Sequence, residues 1–155
     1  MTAQMIKQLP LSVEGAHKSD VRTQFAALCY RIVDGKVQIL LVTSRRSGRW
    51  IAPKGWPMDG KTPYDAAAQE AWEEAGATGK VGTVPLGLFS YVKLIEGAPD
   101  YTCIAVIYPM RVKKLVKEYP EAAQRKRKWV SRKKAAGMVQ EPELARIIKD
   151  FDPRR

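Results

Sequence analysis

The chain has 155 residues and carries 27 Lys and Arg against 16 Asp and Glu, a net charge of +11. That length gives about one domain with a real core, and the basic excess favours polyanions such as nucleotides, inositol phosphates, nucleic acid or anionic lipid. Cys29 and Cys103 sit in apolar runs with no C-x-x-C pairing, which argues against a disulfide or zinc scaffold, and nothing approaches about 18 consecutive apolar residues, so no membrane span is expected.

In chain order, residues 1–20 read as a mobile polar tail. They lack an apolar signal core, and they hold His17, the only histidine, whose default is a solvated residue. A soluble protein of the reducing cytoplasm is expected. Residues 21–155 then read as one α/β domain. TQFAALCYRIV (23–33) and VQILLVT (37–43) predict two strands joined by a hairpin at Asp34-Gly35. A basic turn, Ser44 to Arg49, leads into a short apolar piece at Trp50 to Ala52. Trp50 is read as core, whereas Trp56 and Tyr64 have a better chance of lining a pocket.

After the Pro- and Gly-punctuated loop 53–61, Thr62 is a candidate N-cap with Pro63 at the first helical position, and Gly76 a candidate C-terminal cap. On this helix Ala67, Ala71 and Ala75 form a small-residue stripe suited to close packing on a sheet. Glu70, Glu73 and Glu74 share a neighbouring face, because positions i, i+3 and i+4 come together at about 100° per residue. Three adjacent like charges repel, so a sequence that keeps them usually has a cation to put there. An acidic cluster inside a basic protein suggests metal carried to an anionic substrate. Trp72 lies between these glutamates and could shield them or pack under a loop.

Strand-like runs follow at 80–92 and 101–109, joined by a turn at 96–100; both are partly apolar on both faces, as in a sheet covered by helices on each side. The basic run Arg125 to Lys128 precedes a short Trp129-Val130 strand and a candidate N-cap at Ser131. A last helix begins near Pro142, with Leu144, Ile147, Ile148 and Phe151 at helical spacing.

The stretch from Gly55 resembles the Nudix box, G-x5-E-x7-R-E-U-x-E-E-x-G-U with U aliphatic. Gly55, Glu70, Ala71, Glu73, Glu74, Gly76 and Ala77 match, while Lys61 replaces the first Glu and Gln69 the Arg. SRRSGRWIAPK (44–54) and RKRKW (125–129) are similar to segments of the diphosphoinositol polyphosphate and diadenosine polyphosphate phosphohydrolases. The resemblance covers roughly residues 21–138. It implies a Nudix-type α/β/α sandwich with a mixed sheet, and a hydrolase that cleaves a phosphoanhydride bond using Mg2+ or Mn2+, the cations that suit hard oxygen ligands.

In the residues the resemblance implies, Glu70, Glu73 and Glu74 are metal-binding and catalytic, Glu73 and Glu74 directly and Glu70 as third ligand or base, with the Gly55 carbonyl as a further ligand. Arg45, Arg46, Arg49 and Lys54 are expected to hold substrate phosphates, with Arg22, Arg125, Lys126 and Arg127 as outer candidates. Gln69 or Lys61 is expected to keep a weaker form of the orienting role of the residues they replace. The partner is then a small-molecule polyphosphate, of nucleoside or inositol type. Other readings are a nucleoside triphosphate or RNA 5′-end pyrophosphohydrolase, a Nudix-like module that binds without cleaving, and, less favoured, a nucleic-acid-binding domain gripping phosphate backbones. Oligomeric state is not readable.

Overall fold

The computed structural model describes residues 6–11, 21–93, 97 and 100–154. His17 and most of the expected turn at 96–100 lie outside them. Strands β1 (Val21–Val33) and β2 (Lys36–Thr43) form the expected hairpin, with Asp34 and Gly35 at φ 51° and 74°. This double left-handed turn matches the right-handed strand twist. Two short strands follow, β3 (Trp50–Ile51) and β4 (Lys54–Gly55), and then helix α1 (Pro63–Ala75).

Helix α1 starts and stops where its caps dictate. The Thr62 hydroxyl accepts the Asp65 N–H, and Gly76, at φ 65°, donates its N–H back to the Trp72 carbonyl. A Cβ at Gly76 would meet Tyr119 Cδ1 at 2.5 Å and Arg127 Nη1 at 2.8 Å. Gly76→Ala is therefore expected to lower unfolding free energy by about 2 kcal/mol, from left-handed strain plus crowding. The urea midpoint measures it; an unchanged midpoint would show that the turn relaxes freely.

Beyond α1 the expected single strand at 80–92 is two: β5 (Ala77–Val81) and β6 (Gly87–Lys93). Both pair antiparallel with β7 (Tyr101–Leu115), β6 along its first half and β5 along its second. Pro109 explains both the break and why β7 runs past the expected end. It lies opposite the gap between β5 and β6, so its missing N–H interrupts neither ladder. In that gap the Gly82 N–H donates to the Pro109 carbonyl at 2.7 Å. β8 (Arg127–Ser131), α2 (Arg132–Met138) and α3 (Pro142–Asp150) complete the order. Ser131 caps α2 through the Lys134 N–H, as its sequence position suggests.

The strands form one mixed sheet ordered β3-β2-β1-β7-β5. β1 and β7 are parallel, from Val21 opposite Thr102 to Tyr30 opposite Arg111, and the β1–β2 pairing is antiparallel. Alternation along the strands divides the core. Ala26, Leu28, Ile39 and Leu41 face α2 and α3, where Leu144, Ile147, Ile148 and Phe151 are buried. Ala27, Cys29, Leu40 and Val42 face α1, against Ala67, Ala71 and Ala75. Period-2 strands between helices thus give the α/β/α sandwich.

Trp50 packs beside the first of these clusters, as read from sequence. Tyr64 joins the second, its ring edge-on to Tyr108, and so is core rather than pocket. Trp56 is exposed beside Tyr101. Part of the expected tail is placed: Ile6 packs on the core, and the Gln8 side-chain amide pairs with the Leu88 backbone, accepting at 2.7 Å and donating at 2.9 Å.

Both cysteines are buried and free. Burial pushes the Cys29 thiol up to about 12, with the Glu74 charge adding to it, and burial likewise raises Cys103. Neither supplies a thiolate at neutral pH. A thiol reagent is expected to label neither in the folded protein and both in urea; rapid labelling of the native state would contradict this packing.

Candidate active site

β1 is flanked on one side by two partners in succession. β2 pairs with its second half, and β4 with its first, at Phe25 and Ala26. The basic turn and β3 lie between β2 and β4 in sequence, and the Ala27 N–H donates to the Pro53 carbonyl. This holds β4 against α1. A Cβ on Gly55 would stand 2.2 Å from the Glu70 carboxyl carbon. Only a glycine lets the loop backbone come this close to the acidic face.

Glu70 and Glu74, one helical turn apart, are close enough to share a proton. Burial, the contact with Glu74 and the neighbouring carboxylates push Glu70 up to about 9, so the pair holds a proton at neutral pH. Burial also raises Glu74, although Arg125, the Glu70 contact and Lys54 work against it. Glu74 is 3 % exposed, and its Oε1 is buried without a hydrogen-bond partner. A carboxylate pair with one buried, orphaned oxygen is what a divalent cation would satisfy in place of a proton. The all-oxygen donor set, with Gly55 alongside, fits Mg2+ or Mn2+. Glu73 is half-buried and not drawn into the pair; among the described residues no three His, Cys, Asp or Glu are gathered as a ready cluster.

The pair has a consequence for pH. The native state binds a proton that the unfolded chain has lost above its ordinary value of 4.5, so stability falls as pH rises from there to about 9. With chelator present, the melting temperature is expected to decline across that window, and excess Mg2+ to remove the slope. A flat profile in chelator would mean that the carboxylates are not coupled.

A loop from the far end of the chain closes over Glu74. The Glu121 N–H donates to the Glu73 carbonyl at 3.0 Å, and Thr43 exchanges hydrogen bonds with the Lys126 backbone through its own N–H and hydroxyl. Thus anchored, Arg125 is buried. It donates to Glu121 and to the Thr43 carbonyl, each at 3.0 Å, and stands 3.7 Å from Glu74 Oε1. Lys61 and Gln69 make no side-chain hydrogen bond or ion pair among the described residues, contrary to expectation. The guanidinium beside the acidic pair comes from Arg125 instead.

One open cavity of about 1000 Å³ has Glu74 in its wall and gathers Arg45, Arg46, Arg49, Lys54 and Arg125. The turn that carries the first three is closed by Ser44 and Arg49, N–H to carbonyl at 2.8 Å. Lys54 is pulled down to about 8 by burial, a fall opposed by the charges of Glu74 and Glu141 and helped by Arg49 and Lys93. Its ammonium lies 4.5 Å from the Tyr91 ring centroid, and the Tyr91 hydroxyl is hydrogen-bonded to Gln24.

Three of the expected cations are placed elsewhere. Arg22 lies over the Tyr101 ring. The Lys126 side chain is exposed and outside the cavity lining. Arg127 turns to the opposite side: it donates to the Ala75 and Val116 carbonyls at 2.8 Å and stacks on Tyr119, capping the end of α1. Lining residues not anticipated include Gln24, Lys93, Tyr91 and Glu141. A glutamine directly before the apolar run Phe25 to Cys29 was a readable signal for Gln24; Glu121, near Arg125, had none.

The acidic face of α1 thus has Glu74 in the wall of a cation-lined cleft, on a mixed sheet between helices. The family model described as the NUDIX domain matches residues 22–151, and the chain belongs to the Nudix family. It is similar to Nudix hydrolase 12, mitochondrial, of Arabidopsis thaliana, 28% identical over 119 residues. That match takes in 75% of this chain but spans only 59% of the plant protein's length. It is 32% identical over 117 residues to human diphosphoinositol polyphosphate phosphohydrolase 3-beta, covering 74% of this chain and 67% of that one. In fold it resembles the Ap4A hydrolase of C. elegans, with a TM-score of 0.60 at 19% identity, covering 84% of this chain and 96% of the other. Among the described residues no helix is long and apolar enough to cross a membrane.

Proposed function

We propose that this chain hydrolyses a phosphoanhydride bond in a nucleoside- or inositol-linked polyphosphate, with Mg2+ or Mn2+, through a domain formed by residues 21–155. The observation that carries the reading is one cavity lined by five of the expected cations together with Glu74. The names of the relatives, one a diphosphoinositol polyphosphate phosphohydrolase and one an Ap4A hydrolase, support the substrate class.

Glu70, Glu73, Glu74 and the Gly55 carbonyl would hold the cation, which when bound neutralises phosphate charge and acidifies a water. The protein's own residues do the rest. Arg45, Arg46 and Arg49 grip non-bridging oxygens through their guanidinium forks. Lys54 adds a half-buried charge where negative charge grows as the bridging P–O bond breaks. A glutamate of the acidic pair takes the proton of the attacking water.

A small-molecule substrate is favoured over nucleic acid because the cations surround a concave site. The absence of the usual box Arg and first Glu favours one second reading, a module that binds polyphosphate without cleaving it. The two buried free thiols agree with a reducing compartment such as the cytoplasm; the plant relative's mitochondrial name makes the organelle the alternative. Diadenosine polyphosphates, diphosphoinositol polyphosphates, nucleoside triphosphates and triphosphorylated RNA, assayed with Mg2+ and Mn2+, test the proposal. Metal-dependent turnover of either of the first two is expected. Tight binding of one with no turnover of any would establish the module reading, and metal-independent binding with a steep salt slope the nucleic-acid one.

A further inference from the structure

The wall of the cavity also carries a carboxylate that the polyphosphate reading does not use. Glu141 immediately precedes α3 and lines the same cleft as Glu74 and the arginines. Although it stands at the N-cap position, its side chain makes no capping hydrogen bond. It reaches Arg49 instead, accepting from Nη1 through Oε2 at 2.8 Å. Its other oxygen, Oε1, is buried and has no partner. Glu141 is 6 % exposed, and the start of α3 is held there by Glu143, which accepts from the Ser90 N–H and hydroxyl at 3.1 and 2.8 Å.

An orphaned buried acceptor is costly in the free protein and productive only when a donor arrives. Phosphate is the wrong chemistry: it offers no donor at neutral pH, and its charge repels a carboxylate. A hydroxyl or N–H group is the right one. We propose that Glu141 is a specificity-determining residue, its free oxygen accepting a hydrogen bond from a ribose hydroxyl or base N–H of a nucleoside whose phosphates lie among Arg45, Arg46, Arg49 and Lys54. This selects a nucleoside polyphosphate over an inositol ring phosphorylated at every position, which has no free hydroxyl to offer. The inference rests on the polyphosphate reading and narrows it.

The test compares wild type with Glu141→Gln, Glu141→Ala and Glu141→Lys on diadenosine polyphosphate and diphosphoinositol pentakisphosphate. Turnover is measured with Mg2+, and binding of non-hydrolysable methylene-bridged analogues by calorimetry. Glu141→Ala is expected to lower kcat/KM and analogue affinity at least tenfold more for the adenosine compound than for the inositol compound, any effect through Arg49 being common to both. Glu141→Lys should favour the inositol compound. Glu141→Gln, which keeps an acceptor of the same shape, should retain more adenosine affinity than Ala, and thermal unfolding identifies any variant that fails to fold. Equal losses on both compounds would overturn the inference, leaving Glu141 as an anchor for Arg49. Wild-type preference for the inositol compound would overturn it while leaving the polyphosphate reading intact. Neither turnover nor binding of either compound by wild type would overturn both.

Discussion

Glu74→Gln is expected to reduce kcat by about 1000-fold, equivalent to about 4 kcal/mol of transition-state stabilisation, while leaving the protein at least as stable in chelator. The two halves have one cause. Glu74 is buried, its charged form is disfavoured by burial, and its Oε1 has no hydrogen-bond partner. A neutral amide of the same shape removes that penalty but also removes a ligand charge from the acidic face. The melting-temperature rise produced by Mg2+ in wild type should shrink in the variant, since stabilisation by a ligand follows its affinity for the native state. Full turnover by Glu74→Gln would remove the acidic pair from the chemistry. A large loss of stability in chelator would instead show that the carboxylate is needed by the fold.

Arg125→Gln should behave in the opposite way, losing stability and activity together. Its side chain is 8% exposed and joins the loop before β8 to Glu121, to the Thr43 carbonyl and to the neighbourhood of Glu74. Removing the guanidinium costs about 3 kcal/mol, because it strips Glu121 and Glu74 of their cation and the Thr43 carbonyl of its donor at once, whereas Glu74→Gln leaves Arg125 paired with Glu121. The urea midpoint should fall accordingly, with turnover falling at temperatures where the variant is still folded. Arg125→Lys keeps the charge but not the fork that serves several acceptors, so it should recover only part of the loss. A stable, fully active Arg125→Gln would mean that the guanidinium is a solvated surface group.

The features legible in the sequence were those written in local chemistry. Asp34-Gly35 fixed the hairpin, Thr62 and Gly76 the ends of α1, and helical spacing the Glu70–Glu74 face and the alanine stripe opposite the sheet. Side-chain direction within the basic run was not legible. Arg125 and Arg127 are two residues apart in one run, yet the first reaches the acidic pair and the second caps α1 through the Ala75 carbonyl. That choice depends on where Thr43 and Tyr119 meet the loop, which no local pattern encodes. Glu141 was hidden for a related reason: beside Pro142 it reads as a helix cap, and only tertiary packing turns it toward Arg49. The division of β5 from β6 depended on Pro109, a residue in another strand.

The parallel pairing of β1 with β7 bears on how the chain is made. The β1–β2 hairpin can close as soon as Thr43 is available, but the other edge of β1 meets its partner only when residues 102–111 have been synthesised. Until then the buried run Ala26 to Cys29 has an open edge on a growing polypeptide, where non-local pairing is slow and unpaired strand edges recruit other chains. Fragments released before Tyr101 should therefore aggregate or engage chaperones even though they contain the whole acidic helix. The loop bearing Glu121 and Arg125, which covers Glu74, arrives later still, and Glu141 after it, so a nascent chain cannot complete the cleft before the β1–β7 pairing is available.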